Sequence, residues 1–255
     1  MNNSPQLNSA VATPPLSSSL IARFAHTPAE VREAQRLRYE VFADEMGAHL
    51  HTQTPGLDHD ELDEHCHHLL VWDQALEQVV GCTRILTDQQ ARQAGGYYSQ
   101  GEFDISRILA IPGRFMEIGR TCVHADYRNG ATITALWTGL ADFIAEHDFD
   151  HLIGCASIPL GLDNGQAQAI FADLAPRYLT AEPLRAQPLR PLPHWDGLLS
   201  SEYTLPPLLK AYLRVGARIC GEPCLDPDFQ VADLFILLST RNVERRYARH
   251  FMGRA

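Results

Sequence analysis

The sequence contains a single lysine, Lys210, and its formal net charge at pH 7 is −10. Nucleic-acid binding requires a positively charged face, so we expect no nucleic-acid partner. No apolar run approaches the roughly 20 residues of a membrane-spanning helix. Residues 1–19 are polar and lack the charged and then apolar pattern of a signal peptide. These absences predict a cytoplasmic protein.

Metal and disulfide motifs are also missing. Cys220 and Cys224 are spaced CxxxC, which fits neither a zinc knuckle nor a redox CxxC motif. The segment His49–His68 holds six histidines, but its run of His, Cys, His and His at 65–68 matches no tetrahedral pattern. Alternation along a strand would point these side chains to opposite faces. We therefore predict no metal site and reduced cysteines.

The 255 residues are enough for one large domain, and their 45% hydrophobic content is typical of a globular protein. Residues 1–26 are rich in Asn, Ser and Pro, which predicts a disordered leader. The sequence Thr27-Pro-Ala-Glu30 has the form of a capping box with proline in the first turn, which predicts a helix to about Met46. We expect residues 27–255 to form a single domain.

The segment Phe115–His147 predicts the organising unit of that domain. It opens with an apolar run that carries Glu117 and Arg120, and it continues into an amphipathic helix. The apolar segment His151–Ser157 follows and has strand character. A strand, a helix and a strand with short connections place the two strands in parallel. The sequence therefore predicts an α/β fold.

Several charged residues interrupt apolar segments. Arg38 falls on the buried side of the first predicted helix, and Arg84 lies directly before Ile85 in a predicted strand. Buried guanidinium groups require anionic partners, so each arginine belongs either to a structural ion pair or to a site. The acidic segment 58–64 fits a pocket for a cationic substrate or a solvated loop. Its candidate ligands are Asp58, Asp60 and Asp63.

The chain ends in a locally basic segment. Five arginines oppose the single Glu244 there, which suits a solvated helix, an acidic partner or an anionic membrane surface. The arginines are Arg241, Arg245, Arg246, Arg249 and Arg254.

Four ordered motifs resemble those of acyl-homoserine-lactone synthases. They are Arg38-Tyr-Glu-Val-Phe42, Asp58-His-Asp60-Glu-Leu-Asp63, Gly81-Cys-Thr-Arg84 and Glu117-Ile-Gly-Arg120. The sequence is still more similar to L-ornithine Nα-acyltransferases, in blocks that include GLDHDELDEHCHHLLVWD, EIGRTCVHADYR and LPPLLKAYLRVGARICGEP and span most of residues 30–250. The resemblance implies the GCN5-related N-acyltransferase (GNAT) fold, with a mixed central sheet, splayed parallel strands and flanking helices.

The resemblance also implies an activity. A (3-hydroxy)fatty acyl group would pass from the phosphopantetheine thioester of acyl carrier protein to the α-amine of L-ornithine, giving lyso-ornithine lipid without a permanently bound cofactor. Lactone synthases carry a tryptophan where this chain has Ala48, which argues against S-adenosylmethionine as substrate. The turn at 128–131 lacks the full pyrophosphate cradle of coenzyme A users, and a helix start there suits a single phosphate.

Aminolysis of a thioester needs no covalent enzyme intermediate, so the absence of a GxSxG motif is expected. We predict Glu117 as general base, with a bulge at Gly119 that turns Arg120 to the same side. A structural pairing of Glu117 with an arginine is the alternative. Ser157 is the candidate proton donor to the leaving thiolate, or a structural serine.

The remaining predicted contacts fall into two groups. The acidic residues would receive the side-chain ammonium of ornithine, while Arg38 or Arg84 would bind its carboxylate, beside Phe42. The donor would be held by Val123, Arg128, Asn129 and Gly130. Acyl carrier protein is the expected partner, and the arginine tail would dock it or make a peripheral membrane contact.

Three other functions remain open at this point. A lactone synthase would use the same donor with S-adenosylmethionine, and a related enzyme would acylate another amino acid. A non-catalytic acyl-carrier or lipid-binding module belongs to a different class. The module predicts that Glu117→Gln retains full biological activity, whereas an enzyme predicts a large loss of turnover.

Overall fold

A computed structural model describes residues 20–161, 164–193 and 203–242. Its main sheet contains β1 (Leu20–Phe24), β2 (His67–Asp73), β3 (Gln78–Thr87), β5 (Phe115–Val123), β6 (His151–Pro159), β8 (Arg218–Ile219), β9 (Cys224–Asp226) and β10 (Val231–Ser239). A small second sheet pairs β4 (Phe103–Asp104) with β7 (Gln187–Pro188). The α-helices are α1 (Pro28–Tyr39), α2 (Asp88–Ala94), α3 (Ser106–Leu109), α4 (Ala131–His147), α5 (Gly165–Tyr178) and α6 (Pro207–Val215).

The main sheet has the order β1-β2-β3-β5-β6-β10-β8, with β9 beside β10. Its neighbouring strands are antiparallel except β5 and β6, which pair in parallel only over Phe115–Glu117 against His151–Ile153. Beyond Glu117, β5 continues along β3, while β6 pairs with β10 along its whole length. The predicted splayed parallel strands are therefore confirmed, and a gap opens between them at the level of Glu117.

A β-bulge lies on β5 directly after this divergence. Arg84 pairs with Gly119 and Cys82 pairs with Cys122, so two residues of β5 oppose the single Thr83. One of the two, Arg120, has a φ of 51°, in the left-handed region that side chains with a Cβ rarely adopt. The bulge was predicted at Gly119 and lies one residue later. It lets Glu117 and Arg120 line the same cavity.

The helix α4 packs its predicted apolar face on the sheet. Leu136, Leu140 and Phe143 are buried in the main core cluster together with Leu69 of β2. Its first turn follows Gly130, whose φ of 92° reverses the chain after β5 at a position that favours glycine. The predicted strand, helix and strand are thus confirmed, and α4 covers one face of the sheet near the gap.

The amino-terminal prediction requires a correction, because residues 20–24 of the predicted disordered leader form β1. This strand pairs antiparallel with β2, and the Phe24 ring packs 5.1 Å from that of Phe143. Composition did not reveal β1, because it is stabilised by pairing with a strand more than 40 residues away in the chain. Residues 1–19 lie outside the described residues.

The first predicted helix is confirmed and changes character near its end. Thr27 caps it by accepting a hydrogen bond from the Glu30 amide at 3.3 Å. The α-helix ends at Tyr39 and continues as a π-helical turn over Glu40–Glu45. Such turns change which side chains face inward and are frequent at functional sites. Here the turn contains Phe42, which reaches the gap between the splayed strands.

Of the predicted arginine tail, only Arg241 lies within the described residues. Its guanidinium pairs with Asp150 at 2.7 Å. The other four arginines fall in the undescribed segment 243–255. Within the described ranges, no helix combines the length and apolar character needed to cross a membrane.

The space beside Gly154 of β6 leaves no room for a larger side chain. A Cβ there would lie 2.4 Å from the Ile118 carbonyl oxygen, whereas a Cβ at Gly119 on the facing strand would meet no atom within 4 Å. We expect Gly154→Ala to lower the free energy of unfolding by about 1–3 kcal/mol, and Gly119→Ala to change it by less than about 0.5 kcal/mol. Urea unfolding of both variants measures this difference, and equal stabilities would contradict it.

Candidate active site

A cavity of about 550 Å³ occupies the gap between β5 and β6. It brings together residues from eight separate segments of the chain. Of the predicted site residues, it is lined by Phe42, Arg84, Glu117, Arg120, Val123, Arg128, Gly130 and Ser157. The predicted residues outside its lining are Arg38, Asp58, Asp60, Asp63 and Asn129.

Glu117 lies at the point where the strands part, and only 4% of it is exposed. Its carboxylate accepts hydrogen bonds from the Tyr98 amide at 2.7 Å, the Ser99 amide at 2.9 Å and the Ser99 hydroxyl. Burial raises the pKa of Glu117 above its ordinary value, although these hydrogen bonds oppose the shift. The carboxylate is therefore held in one orientation and has a greater proton affinity than a solvated glutamate, which suits a general base.

The sequence analysis missed the turn that holds Glu117. Residues Tyr98–Gly101 form a 3-10 turn in the glycine-containing loop before β4. Ser99 is fully buried there, and its hydroxyl also lies 3.3 Å from the Cys155 thiol on β6. The turn therefore bridges the two splayed strands from one side. Its two consecutive amides on one carboxylate replace the predicted structural pairing of Glu117 with an arginine.

The acidic residues of the segment 58–64 form a buried ion-pair network with arginines. Arg38, 1% exposed, pairs with Asp63 at 2.7 Å and with Asp58 at 2.8 Å. Arg84 pairs with Asp63 at 2.9 Å and with Asp60. Burial alone would raise the pKa of Asp63, but the two arginines outweigh it and hold that pKa well below its usual range.

This network corrects one prediction. Asp58, Asp60 and Asp63 were expected to bind the ammonium group of the substrate, but they lie behind the cavity wall as counter-ions of arginines. Arg38 also lies behind the wall, so it is not placed to bind a carboxylate in the cavity. The physical reason is that two guanidinium groups buried in the core require nearby anions. Of Arg38 and Arg84, only Arg84 lines the cavity.

Arg120 presents its guanidinium to the cavity between two aromatic rings. The group lies 5.1 Å from the centre of the Tyr98 ring and 4.9 Å from that of Phe229. Its other contacts are Asp58 at 3.2 Å and Asp60 at 3.6 Å. The aromatic rings and the weak ion pairs fix the orientation of Arg120 in the lining, where its cationic group can attract an anion.

The predicted donor-binding turn connects β5 to α4. Arg128 donates from Nε to the Val123 carbonyl at 3.0 Å and pairs with Glu45 at 2.6 Å. Asn129 accepts from the Ala131 amide at 3.1 Å and does not line the cavity, so it caps the helix. Val123, Arg128 and Gly130 do line the cavity beside the amino terminus of α4, where the helix dipole favours an anion.

One wall of the cavity is apolar. It runs along the inner side of β5, the first turns of α4 and the late-chain helix α6. The ring of Tyr212 lies across from Trp137 at 5.3 Å and closes this end. The apolar lining residues are Leu86, Ile118, Ile133, Leu208 and Leu209.

A second acidic cluster escaped the sequence analysis. Glu102, Asp226 and Asp233 are all buried, and one carboxylate oxygen from each lies within 4.8 Å of the others. Asp226 and Asp233 line the cavity. Ser157 faces Asp233 across the sheet and donates its hydroxyl to Asp233 Oδ1 at 2.7 Å. The signal was Asp233 itself, a carboxylate in the most apolar run of the chain.

The geometry of this cluster, three converging carboxylates, is compatible with a bound cation. No metal site was predicted, and Glu102 is more than 120 residues from Asp226 and Asp233 in the sequence. A divalent hard cation takes six to eight oxygen ligands, of which the cluster supplies three carboxylates. An ammonium group would need only one acceptor for each of its three N–H donors.

Comparison with known proteins identifies the fold. The model of the acetyltransferase (GNAT) domain matches residues 37–138. The AHL synthase LasI shares the fold with a TM-score of 0.53 at 15% identity, covering 93% of this chain and 96% of its own. FeeM, an N-acyl amino acid synthase from uncultured soil microbes, has a TM-score of 0.54 at 12% identity, over 88% and 94% of the two chains. At such identities the likeness shows the GNAT fold.

The sequence relatives are more specific. The L-ornithine N(alpha)-acyltransferase of Brucella abortus (strain 2308) is 34% identical over 258 aligned positions, which cover 93% of this chain and 90% of the relative. That of Rhodobacter capsulatus is 32% identical, over 96% of this chain and 98% of the relative. Both alignments include the strands and loops that line the cavity. The chain therefore belongs to the L-ornithine N(alpha)-acyltransferase family and is an acyltransferase of the GNAT fold.

Proposed function

We propose that the protein transfers a (3-hydroxy)fatty acyl group from the thioester of acyl carrier protein to the α-amine of L-ornithine, giving lyso-ornithine lipid. The family membership supports the reaction class. The single structural observation that carries the proposal is Glu117, a carboxylate of raised pKa at the mouth of the splayed strands, beside a cavity with an apolar wall.

In this reaction Glu117 removes a proton from the α-ammonium, directly or through a water molecule. The neutral nitrogen attacks the thioester carbon, a C–N bond forms, and the C–S bond breaks. The ladder is interrupted at the bulge of Arg120, and a backbone amide there would stabilise the developing oxyanion. Ser157, exposed in the cavity, is the proposed proton donor to the thiolate. It recovers its proton from the nitrogen of the new amide, which loses a second proton after the C–N bond forms, while Glu117 releases the first proton to solvent.

The amino-acid carboxylate is assigned to the cationic part of the lining. Arg84 and Arg120 both line the cavity, and Arg120 is held between the rings of Tyr98 and Phe229. A carboxylate bound there would lie near Glu117, so the α-amine one carbon away would reach the base. Phe42 packs 5.4 Å from Phe229 and shapes this part of the cavity.

The donor is assigned to the opposite end. The thioester arm would enter past Val123, Arg128 and Gly130, with its phosphate at the amino terminus of α4, and the acyl chain would lie along the apolar wall. The turn offers one helix start and no extended glycine cradle, which supports phosphopantetheine of acyl carrier protein over coenzyme A. The arginine-rich tail is the proposed dock for the acidic carrier protein, or for a membrane surface.

Purified protein tests the proposal with 3-hydroxyacyl carrier protein and L-ornithine. We expect N-acylornithine by mass spectrometry, and a kcat/KM at least about tenfold lower with the matching coenzyme A thioester, since the carrier contacts contribute to binding. S-adenosylmethionine in place of ornithine separates the lactone synthase, and we expect no lactone. Lactone release, or acylation of glycine or glutamine but not ornithine, would contradict the proposed substrate.

A further inference from the structure

The two acidic clusters beside the cavity differ in their counter-ions. Asp58, Asp60 and Asp63 are matched by the guanidinium groups of three arginines. The second cluster, of Glu102, Asp226 and Asp233, makes no ion pair with any arginine, lysine or histidine in the parts of the chain that the structure describes. Burying several carboxylates without a cation is strongly unfavourable.

The second cluster also contains an acceptor without a protein donor. Glu102 is 96% buried, and its Oε2 has no hydrogen-bond partner among the described residues. Its neighbours are the Tyr98 hydroxyl, the Cys155 thiol and the carboxyl of Asp233, none of which is cationic. An orphaned carboxylate oxygen in a buried cluster marks a position where a donor from outside the chain can bind.

The protonation of the cluster agrees with this. Burial raises the pKa of Glu102, and burial together with the neighbouring Glu102 raises the pKa of Asp233 well above its ordinary value. Burial is the larger cause of both shifts, and repulsion between the carboxylates adds to it. A cation at the cluster would reverse them and return the carboxylates to their ionised form.

We propose that Glu102, Asp226 and Asp233 bind the side-chain ammonium of the diamino acid substrate and so determine its selection. This inference rests on the proposed function, because it names a subsite of the same cavity. Two of the three residues line that cavity, and the carboxylate of the third, Glu102, accepts no hydrogen bond from an arginine among the described residues. The ammonium carries three N–H donors, which match the three converging carboxylates.

The cluster also lies on the correct side of the base. Ser99 contacts Glu117 through its hydroxyl and lies 3.3 Å from Cys155, which itself neighbours Glu102. Asp233 faces Ser157 on β6, two residues beyond Cys155. Arg120, Glu117 and two members of the cluster therefore line one cavity, which can receive the carboxylate, the α-amine and the side-chain ammonium of one substrate molecule. A divalent metal is less suited, since the cluster supplies only three of the oxygens that such an ion requires.

L-norvaline tests the subsite, because it has the carbon chain of ornithine without the side-chain ammonium. We expect the wild-type enzyme to favour ornithine over norvaline in kcat/KM by at least about 10³-fold, as sites built around a polar substrate group do. Asp233→Asn removes one charge and keeps the oxygen that accepts from Ser157. We expect it to lower the ornithine-to-norvaline ratio about 100-fold.

Glu102→Gln is the second variant, and we expect the same loss of discrimination. The matched control is Glu222→Gln, which changes an exposed glutamate just before β9 and should keep the wild-type ratio. Thermal unfolding of each variant confirms that the protein compared is folded. Because the readout is a ratio of two substrates on one enzyme, a partial loss of active protein does not alter it.

The possible failures are distinguishable. Wild-type enzyme that acylates norvaline as well as ornithine, or variants that keep the full preference, would overturn the subsite and leave the transfer reaction standing. Wild-type enzyme that transfers to neither amino acid would overturn the proposed function. Loss of activity on dialysis against EDTA, restored by Mg²⁺, would assign the cluster to a metal and overturn the ammonium assignment.

Discussion

Replacing Glu117 with glutamine is expected to lower kcat about 10²–10⁴-fold, the usual contribution of a general base. Glutamine keeps the volume and one oxygen, which can accept from the Tyr98 or Ser99 amide. It cannot take a proton from the substrate ammonium. Single-turnover kinetics with ornithine and acyl carrier protein measure the chemical step, and direct binding of the acyl donor should be unchanged.

The pH profile separates a base from a structural carboxylate. Glu117 acts as a base only when ionised, and burial raises its pKa above the ordinary 4.5. On acidification, kcat/KM should therefore begin to fall at a higher pH than it would if the base were a solvated glutamate. This acid limb of the pH profile should be absent from Glu117→Gln. A second limb near the pKa of the α-amine, roughly 8–10, belongs to the substrate and should remain.

Ser99→Ala provides a positioning variant for the same experiment. It removes the hydroxyl donor from Glu117 and leaves both backbone amides in place. Because that hydroxyl lowers the pKa of Glu117, its loss should move the acid limb to higher pH. The matched control for Glu117→Gln is Glu64→Gln, which makes the same change at an exposed glutamate and should keep the wild-type kcat and pH profile. Full turnover of Glu117→Gln would contradict the role of Glu117 as general base.

Asp63→Asn is expected to lower the free energy of unfolding by about 3–5 kcal/mol, the effect of removing one partner from a buried ion pair. Asp63 bridges Arg38 at 2.7 Å and Arg84 at 2.9 Å, and it also accepts from the Gln35 amide at 3.0 Å. Asparagine would leave two buried guanidinium groups short of an anion. Chemical denaturation followed by fluorescence measures the loss.

The matched control for this substitution is Asp173→Asn. Asp173 forms an exposed pair with Arg177 at 3.0 Å within α5, and such pairs contribute less than about 1 kcal/mol. The two substitutions make the same chemical change, so the difference between them isolates burial. An equal and small effect of both would show that the network around Asp63 contributes little to stability.

The stability conferred by Asp63 has a predictable pH dependence. Its folded pKa lies below the unfolded value of about 3.9, so its contribution is complete above that pH. As the pH falls below about 4, the unfolded chain takes up a proton before the folded one does, and the contribution is lost. The stability difference between wild type and Asp63→Asn should therefore shrink with acidification in that range. A difference that stays constant down to pH 2 would contradict the ion pairing.

Patterns within single segments revealed much of the fold. The spacing of apolar residues predicted α4, and Thr27 predicted the start of α1. Glu117 and Arg120 were identified as site residues because charged side chains stood out in an apolar strand. All of these signals are local, since helical periodicity, capping and strand alternation depend on residues a few positions apart.

Other features depend on contacts between segments that are distant in the sequence. The sequence-based predictions for these features were wrong or absent. The strand β1 was read as part of a disordered leader, and Asp58, Asp60 and Asp63 were read as substrate ligands. An acidic loop has the same composition whether its carboxylates meet arginines or a ligand. Only the packing of α1 and β3 on that loop shows which partner each carboxylate has.

By itself, the amino-acid sequence determined the α/β class, the parallel pair of strands and the position of Glu117 in the first of them, because each follows from local patterning; the splaying of the strands was implied by the family resemblance. The tertiary structure alone decided which carboxylates are neutralised by arginines and which are left facing the cavity. Asp226 and Asp233 converge because the register of β10 against β9 brings them together, and the turn before β4 places Glu102 beside them. Strand register is set by pairing over the whole sheet, so no single segment encodes it.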